Sequence, residues 1–196
     1  MTAYTSPPAG ATTICVDELG PVIPRTFLPT PGWSLTGTRI HAPLEYSRGP
    51  EKVWVYGALR VCDGQALTLT TRSRNTGGYL ELLEAIAAAN PSGDLYLISD
   101  NLSRHKSPPI QDWLAKNPQG RHVFIPVGVC WQNLQKAWWR IFRRSAFAGQ
   151  SFADVGEIDH ATVVATAQPN ARAQPWIGGR PQRPPRVLHP ALVYHI

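Results

Sequence analysis

The run LYLIS at residues 95–99 places the strongest constraint on the fold of this chain. Its continuous apolar character is typical of a strand that is buried on both faces of a sheet. A helical pattern precedes it at residues 76–90, and a shorter one, with proline at its start, follows at residues 108–118. A buried strand between two helices predicts parallel crossover connections within a sheet that helices cover.

The remaining elements extend this sheet. Residues 53–71 predict an antiparallel hairpin, because two β-rich runs flank the turn signal Asp63-Gly64. The chain therefore predicts an α/β fold with a mixed sheet, an antiparallel hairpin plus parallel strands, flanked by helices. Further strands are expected at 12–17 and 121–127, further helices at 133–147 and at 151–166 with Ser151 as N-cap, and a Pro/Gly-broken loop at 18–37.

The charge of the chain indicates a polyanionic partner. Nineteen Lys and Arg residues against thirteen Asp and Glu give a net charge of +6. Such a balance favours nucleic acid first and a membrane surface second, while an inert basic surface stays open. The sequence has no apolar run near the roughly 18 residues that cross a bilayer, and residues 1–14 lack the pattern of a signal peptide, so we expect a soluble intracellular protein.

The composition changes after residue 167. The segment 168–196 is rich in Pro and Arg, and Asp and Glu are absent from residue 160 onward. We therefore predict one domain over 1–167 and a basic tail over 168–196. Arg180 and Arg183 in that tail are expected to contact DNA. Trp176 is expected to anchor the tail to the domain, with stacking on DNA as the alternative.

Two aspartates follow predicted strands. Asp17 comes after TTICV and Asp100 after LYLIS. In parallel neighbouring strands the two carboxylates would converge, and a divalent cation is the usual way to hold converging carboxylates. Either aspartate alone is more typical of a turn or a helix cap. Asn101 and His105 follow in a polar segment, where Asn101 could orient the aspartate and His105 could contact a phosphate, support a metal ligand, or simply pack.

The helix predicted over 133–147 has an apolar and a basic side. Leu134, Trp138, Ile141 and Phe142 recur at helical spacing and predict the buried face. The stretch 130–144 contains no acidic residue. The other face carries Lys136, Arg140, Arg143 and Arg144, which suits DNA phosphates, although a merely solvated face is the alternative.

Several stretches together resemble one protein family. The sequence is similar to the catalytic domain of DDE-superfamily transposases, in the bacterial insertion-sequence group related to mariner elements. The resemblance implies a ribonuclease-H-like fold and two Mg²⁺ or Mn²⁺ ions held by two aspartates and a third acid, which hydrolyse DNA and join the freed 3′-hydroxyl to a target. The matching stretches are CVDELGPV, PLEYSRGPEKVWVYGALRV, DNLSRHKS, FIPVGVCWQNLQKAWWRIFRR, AGQSFAD and NARAQPWIGGRPQRPPR.

The resemblance assigns roles to three positions. Asp17 matches the first acid and Asp100 the second, so both are expected metal ligands. Lys136 stands where the family pattern has a glutamate, and the neighbouring Gln135 could offer only a neutral oxygen. We therefore expect weakened Mg²⁺ or Mn²⁺ binding and impaired catalysis. Only sixteen residues precede Asp17, so a DNA-reading helix-turn-helix region is expected to be missing.

Three functions remain open at this point. The first is a degenerate DDE transposase catalytic domain, and the second is a non-catalytic DNA-binding or regulatory remnant that joins a full-length transposase. The third, an unrelated metal-dependent nuclease of the same fold, is disfavoured by the long match outside the acids. The family also suggests a homodimer, and a bacterial cytoplasmic, nucleoid-associated location.

Overall fold

A computed structural model describes Tyr4, Thr36, Gly128 and residues 7–27, 46–48, 51–126 and 132–176. Its strands are, in chain order, β1 (Thr12–Val22), β2 (Arg25–Phe27), β3 (Tyr46–Arg48), β4 (Val53–Arg60), β5 (Ala66–Thr71), β6 (Leu95–Ser99) and β7 (Gly120–Phe124). Five of them form one sheet in the order β5-β4-β1-β6-β7, and β2 pairs with β3 in a separate two-stranded sheet.

The sheet is mixed, as predicted. Strand β1 is antiparallel to β4 and parallel to β6, and β6 is parallel to β7. The predicted hairpin is formed by β4 and β5. Its turn contains Asp63, whose carboxylate binds Arg60 and the backbone N–H of Gln65, and Gly64 at φ +75°. This architecture confirms the expected ribonuclease-H-like α/β fold.

Within the described residues, four α-helices cover the two faces of the sheet. Helices α1 (Thr76–Ala89) and α2 (Pro108–Lys116) lie on one face, with a 3₁₀ turn at Ser103–Lys106 before α2. Helices α3 (Leu134–Ala146) and α4 (Val155–Asn170) lie on the other. Alternate residues of β1 therefore enter different cores: Ile14 and Val16 pack with Leu82 and Leu83, whereas Cys15 packs with Phe142.

The prediction of a loop at 18–37 was wrong at its start. Strand β1 continues through Leu19 to Val22, because its register with β4 shifts between these two residues and so accommodates Pro21 outside the regular ladder. Gly20 has φ +146°, and a Cβ there would lie 2.9 Å from the Trp54 ring. Residues 25–27 of the predicted loop also form a strand, because β2 pairs with β3, and residues 28–35 and 37 lie outside the described residues.

The start of α4 also differs from the prediction. Asp154, not Ser151, is the N-cap, and its Oδ1 accepts the Glu157 N–H at 3.0 Å. The Glu157 carboxylate reaches back to the N–H of Ala153 at 2.7 Å, which completes a reciprocal capping arrangement. The helix runs beyond the predicted residue 166 to Asn170.

No helix in the described part of the chain combines the length and the apolar composition that a membrane crossing requires.

Candidate functional site

Asp17 lies on the central strand β1, and Asp100 lies at the end of the neighbouring strand β6. Strands β1 and β6 are parallel neighbours, with Cys15 opposite Ile98. Two residues further along the same register, Asp17 is level with Asp100. Asp17 was expected at a strand end, but it lies within β1, because the strand continues past it. Asp100 directly follows β6, as expected.

Asn133 attaches the start of α3 to the backbone next to Asp17. Its side chain is buried, donates to the Val16 carbonyl at 2.8 Å and accepts the Gln135 N–H at 3.0 Å as the helix N-cap. Lys136 follows one helical turn later, and its N–H donates to the Asn133 carbonyl. The cap therefore fixes Lys136 beside the same strand position as Asp17.

Lys136 forms an ion pair with Asp17. Its Nζ lies 3.2 Å from Oδ1 and 3.0 Å from Oδ2 of the aspartate. The Asp17 side chain is only 4% exposed, whereas that of Lys136 is 37% exposed. Burial raises the pKa of Asp17 and outweighs the opposing attraction of Lys136, and the charges of Glu18 and Asp100 raise it further. The single, partly exposed ammonium group of Lys136 thus compensates this carboxylate only in part.

Gln135 lies against the strand beside Asp17. Gly57 is the register partner of Asp17 on β4, and a Cβ there would come within 2.5 Å of Gln135 Nε2 and of the Trp139 ring. The glycine therefore permits the close approach of α3 to the sheet. Gln135 is fully buried, and within the described part of the chain neither atom of its amide has a hydrogen-bond partner.

Glu18 points to the opposite face of the sheet, where it has two cationic partners. Its Oε1 lies 2.9 Å from His105 Nε2, and its Oε2 accepts from Arg74 at 2.9 Å. The side chains of Glu18 and His105 are each 1% exposed. Burial alone would raise the pKa of Glu18, but the hydrogen bond and charge of His105, together with Arg74, lower it below its usual value.

His105 connects Glu18 to Asp100. Its Nδ1 lies 3.2 Å from both the backbone carbonyl and Oδ1 of Asp100, and its ring stacks on Tyr79 with centroids 4.0 Å apart. Burial opposes protonation, but the two carboxylates prevail and raise the pKa of His105 to about 9. Burial raises the pKa of Asp100, and His105 more than reverses this, so the net shift is downward.

These contacts bear on the expected roles of His105 and Asn101. His105 is buried and its ring nitrogens contact Glu18 and Asp100, so its role beside Asp100 stays a prediction. Asn101 is exposed next to Asp100.

The residues at this site do not fit the metal ions that the resemblance implies. Lys136 places a positive charge on both Asp17 oxygens, which are the atoms that a cation would need. Within the described residues, no group of three or more His, Cys, Asp or Glu side chains is arranged to hold a metal ion.

The basic face of α3 extends away from Lys136. Arg140, Arg143 and Arg144 are exposed along the helix, as expected. The predicted apolar face was partly wrong, because Ile141 is 50% exposed and Trp139 is buried in its place. The buried stripe is rotated, since Gln135 and Trp139, one turn apart, lie against Gly57.

The tail is described only in part. Trp176 packs against the core on the α3 side, and its backbone N–H donates to the Val61 carbonyl at 2.9 Å. These contacts confirm that it anchors the chain. Arg180 and Arg183 lie outside the described residues. Helix α4 crosses residue 168, and the division into a domain over 1–167 and a tail over 168–196 stays a prediction.

Sequence reasoning missed Glu18 and Arg74. The signal for Glu18 was present in the sequence, because consecutive strand residues point to opposite faces. An acid next to Asp17 within a strand covered on both faces needs cationic partners of its own. Arg74 lies in the connection between β5 and α1 and carries no local pattern that identifies its partner.

A ribonuclease-H-like sheet with one aspartate on its central strand β1 and another directly after the parallel neighbour β6 defines the structural class of this protein. The chain belongs to the DDE superfamily endonuclease family, whose sequence pattern matches residues 12–159. This range contains Asp17, Asp100 and Lys136, and the match confirms the resemblance to insertion-sequence transposases.

A curated relative supports this assignment. The chain is 31% identical over 91 residues to the insertion element IS630 uncharacterized 39 kDa protein of Shigella sonnei. The alignment covers 46% of this chain and 26% of that protein, so the chain spans about a quarter of the length of its relative.

Proposed function

We propose that this chain is a DDE transposase catalytic domain that binds DNA but is impaired in metal-dependent cleavage and strand transfer. The observation that carries the proposal is the contact of Lys136 Nζ with both carboxylate oxygens of Asp17. Asp17 and Asp100 are the proposed catalytic metal ligands, and Lys136 is at the position of the third acid.

The electrostatic effect of this lysine supports the proposed impairment. A glutamate about 4 Å from a divalent ion gains on the order of 8 kcal/mol at an effective dielectric constant of about 20. A lysine at the same place reverses the sign of this interaction. Solvent screening reduces the size of the effect because the Lys136 side chain is 37% exposed. Weakened Mg²⁺ or Mn²⁺ binding follows even after this reduction.

The exposed basic face of α3 supports DNA as the partner. Arg140, Arg143 and Arg144 follow Lys136 at helical spacings of four, seven and eight residues and share its side of the helix. The three arginines are all exposed, so their guanidinium groups are accessible to a partner. Phosphate contacts of this kind are independent of DNA sequence and weaken steeply with salt.

The same lysine contact favours a second candidate, a non-catalytic regulatory role. A domain that binds DNA without cleaving it would compete with an intact transposase, or would form an inactive dimer with it.

A nicking assay tests the impairment. Supercoiled plasmid is incubated with Mn²⁺ and either the natural protein or the Lys136→Glu variant. We expect nicking by the variant and a rate at least about tenfold lower for the natural protein, which corresponds to about 1.4 kcal/mol in the barrier. Equal metal-dependent nicking by both proteins would contradict the proposal.

A further inference from the structure

The acids at the candidate site are accompanied by cations of the same chain. Lys136 contacts Asp17, and Arg74 contacts Glu18. Two cations, Lys136 and Arg74, thus lie in contact with members of a cluster of three carboxylates, Asp17, Glu18 and Asp100.

These cations change how the strand ends interact with a polyanion. Uncompensated carboxylates would repel DNA phosphates, and a divalent cation would be needed to remove the repulsion. Lys136 provides a positive charge at the family's third acidic position, which changes the local charge by two units. Lys136 and Arg74 both lie close enough to Asp100 for their charges to lower its pKa. The protein itself thus offsets part of the negative charge of these carboxylates.

Lys136 also connects the site to the basic face of α3. Arg140 lies one helical turn further along the same side, and Arg143 and Arg144 follow in the next turn. A glutamate at position 136 would end this stripe before the strand ends. With lysine, the row of basic side chains extends from Arg144 to Lys136, which contacts Asp17.

We propose that Lys136 is a tethered counter-ion that allows the DNA backbone to lie across the carboxyl ends of β1 and β6 without a divalent cation. An ammonium group has three N–H donors, and the partial exposure of this side chain leaves it accessible to a phosphate while it holds Asp17. This inference rests on the proposed DNA binding and specifies that binding as metal-independent.

Fluorescence anisotropy with a short labelled DNA duplex tests the inference at low salt. The full chain and its variants are titrated in EDTA and, separately, with Ca²⁺. We expect the natural protein to bind with the same Kd, within about twofold, in both conditions. Lys136→Glu should bind at least about tenfold more weakly in EDTA and should recover most of this loss with Ca²⁺.

Lys116→Glu is the matched control. Lys116 is exposed at the end of α2, and its substitution changes the net charge by the same amount away from the site. We expect a loss of at most about threefold, with no recovery in Ca²⁺. Circular dichroism verifies the fold of each variant. If Lys136→Glu fails to fold in EDTA, Lys136→Gln replaces it, with an expected loss of about threefold that Ca²⁺ reverses.

The outcomes separate this inference from the proposed function. If the natural protein binds DNA only with Ca²⁺, the tethered counter-ion is wrong, whereas DNA binding stands. An equal loss for the Lys116 and Lys136 variants, or a loss at Lys136 that Ca²⁺ does not reverse, would also overturn the inference. If the natural protein binds the duplex in neither condition, the proposed DNA binding itself fails.

Discussion

Asp17 and Glu18 are consecutive residues of one strand, and both are buried, but their surroundings differ. Asp17 faces α3 and is paired with a single lysine that is 37% exposed. Glu18 faces the α1 side and contacts His105 and Arg74, within a cluster that also includes Asp100. The pKa of Asp17 is raised by burial, whereas that of Glu18 is lowered by its partners.

The difference shows that burial alone does not decide how a carboxylate behaves. Glu18 has enough buried partners to remain ionised, so it connects β1 to the 3₁₀ turn that supports Asp100. Asp17 has only one cationic partner among the described residues, Lys136, which compensates its charge in part. This partner comes from α3, the helix that carries the basic face. We infer that Glu18 supports the structure, whereas Asp17 belongs to the functional surface.

The largest expected effect is that of Glu18→Gln. It removes the negative charge that contacts both His105 and Arg74, and it leaves the buried His105 with one carboxylate fewer. We expect a loss of about 3 kcal/mol in the free energy of unfolding, because breaking a buried ion pair costs far more than breaking an exposed one. Urea denaturation monitored by tryptophan fluorescence measures this change.

Glu51→Gln is the control for that experiment. Glu51 pairs with Arg72 at 3.5 Å, and both side chains are more than half exposed. Its substitution should change stability by less than about 0.5 kcal/mol. Similar changes for Glu18→Gln and Glu51→Gln would show that the Glu18 cluster does not support the fold.

The second effect is the pH dependence of stability that His122 causes. Burial lowers the pKa of His122 to about 4. The Nε2 atom of this histidine forms a hydrogen bond of 3.0 Å with the Tyr79 hydroxyl. Because the unfolded chain binds this proton near pH 6.5, stability falls as the pH drops below 6.5 and levels off below about 4. We expect His122 to contribute a loss of about 2 kcal/mol at pH 5.

The His122→Gln variant measures this contribution. Unfolding free energies of both proteins are compared at pH 7 and pH 5, and the variant should lose about 2 kcal/mol less than the natural protein. An identical loss in both would mean that His122 takes up its proton in the folded state.

The smallest effect is expected for Lys136→Met. This change removes the only cation in contact with Asp17 among the described residues but keeps the apolar stem of the side chain. We expect a loss of about 1 to 2 kcal/mol, between the values for exposed and buried pairs, because the lysine is partly exposed and Asp17 can take up a proton. A loss equal to that of Glu18→Gln, measured by the same urea denaturation, would remove the contrast between the two faces.

The fold could be predicted from sequence because its signals are local. The run at residues 95–99, the Asp63-Gly64 turn and the helical spacing in α1 each specify an element without reference to distant residues. The extension of β1 from residue 17 to Val22 could not be predicted, because Gly20 and Pro21 indicate a loop locally, and pairing with β4 overrides that signal.

The candidate site was predicted only in outline. Strand ends identified Asp17 and Asp100, and the family resemblance identified position 136, but the ion pair between Lys136 and Asp17 depends on how Asn133 seats α3 on β1. The burial of His105 between Glu18 and Asp100 likewise depends on a distant contact, because Glu18 and His105 are 87 positions apart in the sequence. Spacing along the chain contains no information about such contacts.

Calorimetric titration with Mn²⁺ at low salt tests the central claim most directly, with the natural protein compared to Lys136→Glu. We expect tight binding by the variant and a Kd at least about tenfold weaker for the natural protein, because the lysine charge opposes the ion at Asp17. Equal, tight binding by both proteins would show that Lys136 does not occupy the place of the third acid, and the account of an impaired metal site would be wrong.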